Sequence, residues 1–298
     1  MAGLEKRKFI ITIDTEGDDL WGWKEGMPIK TENVNCLPRF QRLCNKYNFI
    51  PTWLCNWEIA NDDRFVSFAR ENLEEGTCSI GMHLHAWNTP PMFNSLQKHE
   101  KSGLPYLIEY PRDIMKEKIL SMTDIIEEKF KVRPIVHRAG RWAMNDDYFE
   151  LLAECGYIAD CSITPYVDWK SSWGQTPGFE GPDYFNEEVK ISKRKNIIEI
   201  PVTTLWDEER QKTLWLRPNR KNLDEMLQLI EFYQNSEVDY LMFMLHSSEM
   251  MAGGSPTFQT EGGIELLYEH LDIIFNLISK NYEGIGLDKY VRSKEFWA

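Results

Sequence analysis

Asp14 and Glu16 stand two residues apart at the end of an apolar run, in Thr12-Ile13-Asp14-Thr15-Glu16-Gly17. His83 and His85 repeat that spacing in Gly81-Met82-His83-Leu84-His85-Ala86-Trp87. In an extended chain alternate side chains share a face, so each pair presents both of its groups on the same side. Two neutral imidazoles spaced in this way suit a borderline divalent cation, and their nitrogen donors favour Zn²⁺. With such a cation in place, one carboxylate can ligate it while the other stays free to take a proton from water. Spacing alone does not say which acid does which, and an acidic pair after a strand also makes an ordinary capped turn. Two further apolar runs end in cationic groups: Val136-His137-Arg138-Ala139-Gly140-Arg141-Trp142 and Met242-Phe243-Met244-Leu245-His246-Ser247-Ser248. Arg138 would lower the pKa of a neighbouring carboxyl and keep it ionised. His246, able to carry a proton near neutral pH, is a candidate acid for a departing amine.

Such residues act together only if the chain brings them together. Short β-branched or apolar runs at 9–13, 51–54, 78–82, 135–137, 158–161, 197–200, 241–245 and 284–287 read as strands. Between them, 34–47, 62–75, 112–130, 146–155, 223–235 and 263–280 carry apolar residues at helical spacing. Alternating βα units imply an α/β protein built on a parallel sheet, and seven or eight of them predict a distorted TIM-like (β/α)7–8 barrel, with residues 1–298 as one domain. In such barrels chemistry gathers at the C-terminal ends of the strands. Asp14, Glu16, His83, His85, Arg138, Asp160 and His246 all lie at predicted strand ends, where core strands alone give no reason for ionisable groups. The long stretches 86–111 and 165–195 are rich in Pro, Gly and aromatics and read as functional loops. Trp21, Trp23, Trp87, Trp142, Trp169 and Trp173 lie on or near loops at that end, offering flat faces to sugar rings or anchors for the loops themselves.

Composition excludes some partners. The 298 residues are 42% hydrophobic, enough for a large core, and carry a formal net charge of −13, which provides no basic field for nucleic acid. The apolar run at 9–13 is too short for a signal-peptide core, and no stretch approaches the roughly 20 apolar residues of a membrane span, so a cytoplasmic protein is expected. The 6 cysteines show no CxxC pairing and read as reduced thiols.

From about residue 9 to residue 290 the order of these segments resembles the polysaccharide deacetylases, carbohydrate esterase family four. The resemblance implies that Thr12-Ile13-Asp14-Thr15-Glu16-Gly17 is the acidic motif, with Asp14 the catalytic base and Glu16 a metal ligand, although the two roles could be exchanged. The family's common form has two adjacent acids, whereas Thr15 separates them here. His83 corresponds to the first histidine ligand. The common spacing of four would place Trp87 at the second, and His85 takes that role instead. Arg138 corresponds to the arginine that orients the base, with Trp142 or the nearby backbone N–H groups facing substrate. Asp160, or Asp168 in Asp168-Trp169-Lys170, corresponds to the acid that tunes the catalytic histidine. Asp168 also falls with Trp87 and Trp169 among the residues placed to touch substrate, and His246 matches the final Leu-His motif. The implied reaction is metal-dependent hydrolysis of an N-acetyl or similar acyl group on a carbohydrate. Asp14 would deprotonate the attacking water, the metal and a backbone N–H would stabilise the oxyanion, and His246 would protonate the leaving amine. A cytoplasmic site suggests a nucleotide- or lipid-linked sugar used in surface polysaccharide assembly. Two other readings remain open at this point: cleavage of ureides or other non-sugar amides on the same barrel, and a metal-free carbohydrate-binding relative.

Overall fold

The computed structural model describes residues 6–22, 27–92, 104–172 and 174–293. Trp23 and Trp173 lie outside the described residues. In chain order the elements are β1 (Arg7–Thr15), α1 (Leu37–Lys46), β2 (Pro51–Cys55), α2 (Trp57–Ala60), α3 (Asp63–Glu74), β3 (Ser79–Leu84), α4 (Arg112–Phe130), β4 (Val136–Ala139), α5 (Asp146–Glu154), β5 (Ala159–Asp160), β6 (Ser192–Arg194), β7 (Ile197–Glu199), β8 (Thr204–Asp207), β9 (Lys212–Trp215), α6 (Leu223–Gln234), β10 (Tyr240–His246), α7 (Glu261–Ile278), β11 (Tyr282–Gly284) and α8 (Leu287–Ser293).

Nine strands form one sheet in the order β10-β1-β2-β3-β4-β5-β7-β6, with β11 beside β1, and every pair is parallel except β6 with β7. The sheet curls until its two ends approach. Just after β7, Thr203 N–H donates to the Met242 carbonyl on β10 at 3.2 Å, and Met244 N–H donates to the Leu216 carbonyl at 3.4 Å. These bonds, with the β8–β9 hairpin that lies between, bridge an incompletely closed barrel whose ring holds seven parallel strands. The eighth predicted strand, at 284–287, falls elsewhere. β11 ends at Gly284 and pairs only with Arg7–Phe9 at the start of β1, while Leu287 opens α8.

Parallel strands covered on both faces must be apolar on both faces. On β1, Phe9 turns outward, edge-on to Phe49 at 4.7 Å and to Phe275 of α7 at 5.7 Å between ring centroids. Full burial of one such ring is worth about 2–3 kcal/mol. The alternate residues Thr12 and Asp14 turn inward and meet Arg138. The helices close the outer layer with ordinary caps: Asp62 accepts from Arg64 N–H and Phe65 N–H to start α3, and Asn145 accepts from Tyr148 N–H to start α5. No helix among the described residues is long and apolar enough to cross a membrane.

Candidate active site

The parallel register decides which strand ends meet. Asp14 on β1 lies opposite His246 on β10, and His83 on β3 lies opposite Arg138 on β4. Inward-facing residues of these strands therefore converge at the C-terminal mouth, around a cavity of about 470 Å³.

Its floor is a buried triad. His85 Nε2 stands 2.8 Å from Glu16 Oε2 and 2.9 Å from His83 Nε2, and His83 Nε2 is 3.5 Å from the same carboxylate oxygen. His83 Nδ1–H donates to the Arg138 carbonyl at 3.0 Å, which fixes the tautomer and turns the Nε2 lone pair toward the triad. Burial opposes the charge on Glu16, but the imidazoles of His83 and His85 hold its carboxyl well below the ordinary range. Two imidazole nitrogens this close cannot both point lone pairs at each other unless a proton or a cation lies between them. These three atoms, all within 4.8 Å of one another, fit one divalent cation. Approach is tight: a Cβ at Gly140 would lie 2.6 Å from the Leu84 carbonyl and 3.1 Å from His85 Nδ1.

Beside the triad, Asp14 Oδ1 accepts from an Arg138 Nη at 2.7 Å, and the other Arg138 Nη donates to Thr12 Oγ1 at 2.8 Å. Burial alone would raise the Asp14 pKa. The Arg138 guanidinium, helped by His83 and His246, outweighs it and keeps the carboxyl below its ordinary value. The second oxygen, Oδ2, is left facing His246 Nε2 at 3.8 Å. His246 is in turn held from behind. Its Nδ1 is 3.0 Å from Glu249 Oε2, which also accepts from the His246 backbone N–H and from Arg217 Nη2, each at 3.0 Å. Glu249 resists burial through Arg217 and His246, and its pKa falls to about 2.

The walls are aromatic. Trp142 and Trp169 lie parallel within 13° at 6.5 Å, and Trp21 meets His246 edge-on at 4.9 Å. Trp87 lines the cavity and packs on His85 at 4.2 Å between ring centroids. The turn carrying Trp87 is gripped by Lys118, a buried lysine whose Nζ donates to the carbonyls of Ala86, Thr89 and Pro91 at 2.6–2.9 Å; burial brings it down to about 8.

Of the residues singled out from sequence, Asp14, Glu16, His83, His85, Trp87, Trp142, Trp169 and His246 line this cavity, with Arg138 directly beneath. Asp168 does not: it pairs with Lys170 at 3.3 Å on the surface and bridges to Asp183. Asp160 faces the other side of the sheet, 2.6 Å from His137 Nδ1. The acid that touches His246 is Glu249. Sequence reading missed it, although a Glu three residues after a residue that ends a strand is a capping-box spacing, and the two residues form that box here. Arg217, Tyr106 and Arg141 were also missed as cavity residues.

No family model matches this sequence, and no curated protein is similar enough to count as a relative. Solved structures do match. A provisionally assigned polysaccharide deacetylase from Mycobacterium smegmatis superposes with a TM-score of 0.59 at 14% identity, over 98% of this chain and 92% of that one. The chain has the fold of a polysaccharide deacetylase. A 4-alpha-glucanotransferase from Thermococcus litoralis superposes with a TM-score of 0.60 at 14% identity over 98% of this chain, which spans only 41% of that longer protein. A peptidoglycan deacetylase from Bacillus subtilis overlaps more loosely, with a TM-score of 0.45 at 12% identity. The deacetylase-type barrel thus also carries a protein named for glycosyl transfer, and choosing a chemistry falls to the side chains.

Proposed function

We propose that the protein is a single-domain, metal-dependent deacetylase that hydrolyses N-acetyl or similar acyl groups on a carbohydrate, acting in the cytoplasm on a nucleotide- or lipid-linked sugar. One observation carries the reading. A three-donor cation site, an arginine-held carboxylate and a carboxylate-held histidine share one cavity, with the last two facing each other at 3.8 Å. Glycosyl transfer by paired carboxylates needs two carboxyl groups flanking the scissile bond. The cavity's acids among the described residues are Asp14 and Glu16, and Glu16 lies against two imidazoles in the three-donor set, leaving Asp14 as the one carboxylate with an open oxygen, which favours acyl hydrolysis.

Glu16, His83 and His85 would hold the cation, Zn²⁺ by donor type. When bound it supplies Lewis acidity toward the acyl carbonyl and makes water acidic enough to give up a proton near neutral pH. Asp14 Oδ2 takes the proton of the attacking water, and Arg138 keeps that carboxylate ionised until it does. His246 Nε2 gives a proton to the departing nitrogen, while Glu249 holds the Nδ1–H and stabilises the imidazolium. The C–N bond breaks, and the products are acetate and a free amino sugar. Trp142, Trp169, Trp87 and Trp21 supply flat apolar surfaces against which sugar rings stack and from which water is displaced.

The test combines metal analysis with acetate release from a panel of N-acetyl sugars, free and nucleotide-linked, with ureides included. We expect about one metal per chain, turnover that a chelator abolishes, and loss of both in His83→Ala. A chain without stoichiometric metal and indifferent to chelators would instead be a binding protein.

A further inference from the structure

Arg141 lines the cavity and is directed there by an unusual backbone. Arg141 and Trp142 both adopt left-handed conformations, with φ of 56° and 63°. Side-chain-bearing residues reach that region only at a cost, and such strain gathers where function demands a particular geometry. The guanidinium rests on the Tyr106 ring, 4.7 Å from its centroid. Tyr106 is itself pinned, its hydroxyl donating to the Ser172 carbonyl at 2.7 Å and its N–H to Glu109 at 3.1 Å.

The other charges of the cavity are matched. Asp14 is paired with Arg138, Glu16 lies against His83 and His85, and Arg217 is paired with Glu249. Arg141 has no carboxylate partner among the described residues, although the sequence carries 47 acids against 34 lysines and arginines. In so acidic a chain, an exposed guanidinium held at the mouth of the site with no carboxylate partner among the described residues is open to an anion. Its planar fork suits the oxygens of a phosphate or a carboxylate.

We propose that Arg141 is a subsite for an anionic group on the substrate, so that the preferred sugar carries a phosphate ester or a carboxylate in addition to its acyl amide. This rests on the deacetylase reading and narrows it to a charged substrate class.

The experiment compares three N-acetylated hexosamines, one uncharged, one bearing a 1-phosphate and one bearing a carboxylate. The wild-type enzyme favours at least one charged sugar in kcat/KM, mainly through KM, and the favoured sugar identifies the oxyanion. In Arg141→Gln the charged-to-uncharged ratio falls about tenfold, the size of one lost charge-assisted contact, and Arg141→Lys retains part of it. Arg141→Gly, which relaxes the left-handed backbone and so removes folding as an explanation, gives the same drop as Arg141→Gln. No preference in the wild-type enzyme, or a ratio unchanged by Arg141→Gln, overturns the proposal. Calorimetric binding of glucose 1-phosphate and of glucuronate, each against glucose, wild type beside Arg141→Gln, needs no turnover. A difference there that Arg141→Gln abolishes supports the anion subsite even if deacetylation fails, and its absence counts against the subsite even if deacetylation holds.

Discussion

His137 and Arg138 are neighbours on β4, yet they belong to two different regions of the molecule. Arg138 points into the barrel and binds Asp14, whose second oxygen stays open toward His246 and the cavity. His137 points out beneath α5, where its Nδ1–H donates to Asp160 at 2.6 Å and its Nε2 accepts from the Tyr148 hydroxyl at 2.7 Å. Asp160 also lies in register with Glu199 on β7, so His137, Asp160 and Glu199 form a buried row across three strands. Both regions combine histidine with carboxylate and both are buried. They differ in what is left over. Inside, one carboxylate oxygen and one imidazole nitrogen remain free to meet a substrate. Outside, His137 is spent on protein partners at both nitrogens. Histidine beside a carboxylate is therefore not by itself a mark of chemistry; an open valence facing a cavity is.

The sharpest way to break this comparison is to remove the open carboxylate. Asp14→Asn keeps the shape and one acceptor for Arg138 but loses the base, so turnover should fall by about 10²–10⁴. Metal content should stay nearly intact, since Asp14 is not in the three-donor set. Leaving Arg138 buried without its counter-charge should also lower the melting temperature. Loss of metal in this variant would show that Asp14 and Glu16 have exchanged roles.

Glu249→Gln is the next largest. Glu249 touches no substrate in this arrangement and acts through His246, so kcat for amide cleavage should drop about tenfold to a hundredfold with little change in KM. An activated ester, whose leaving group needs no proton, should lose much less. Equal losses on both substrates would mean that Glu249 merely supports the fold.

On the sealed side the effects should appear in stability and not in rate. Burial and the neighbouring Asp160 push the Glu199 carboxyl well above its ordinary value of 4.5, while His137 outweighs burial at Asp160 and holds that carboxyl low, so one proton is shared within the pair. A raised folded pKa means that Glu199 contributes stability fully below pH 4.5, and the contribution is lost as pH rises through the folded value. Glu199→Gln keeps an acceptor for Ile163 N–H without that dependence. Between pH 6 and 8 the variant should be more stable than the wild type by about 1 kcal/mol or more, with the difference closing toward pH 4.5 in denaturant titrations. A constant offset across that range would contradict the shared proton.

The same two faces explain what could be read from the sequence. Apolar runs located the seven ring strands to within a few residues, and the periodicity at 112–130 matched α4 end to end. The β8–β9 hairpin was not legible. Its strands are joined through Glu208, Glu209, Arg210 and Gln211, which look like a solvated loop, and Gln211 supplies the left-handed turn without the Gly or Asn that announces one. In the site, the strand-end ionisable groups were read as one converging set. Strand alternation turns one of them, Asp160, outward beside His137, while Glu249, on the turn after β10, takes the place beside His246. Alternation is visible in sequence only once the register of each strand is known, and β5, two residues long, gives almost nothing from which to set it.

The smallest effect separates the two faces most cleanly. Tyr148 is fully buried, and its hydroxyl is the partner of His137 Nε2. Burial holds the tyrosine protonated and the imidazole neutral, so the tyrosine donates. Tyr148→Phe preserves the ring that packs on His137 at 5.0 Å and removes one oxygen, leaving a buried nitrogen acceptor unpaired. The expected cost is about 1–2 kcal/mol in denaturant or thermal unfolding. Metal content, kcat and KM should be unchanged, because Arg138, one residue along the strand, keeps its bonds to Asp14 and Thr12 on the opposite face. A fall in kcat with stability preserved would mean that the sealed row communicates with the cavity through β4, and the division between open and sealed clusters would have to be abandoned.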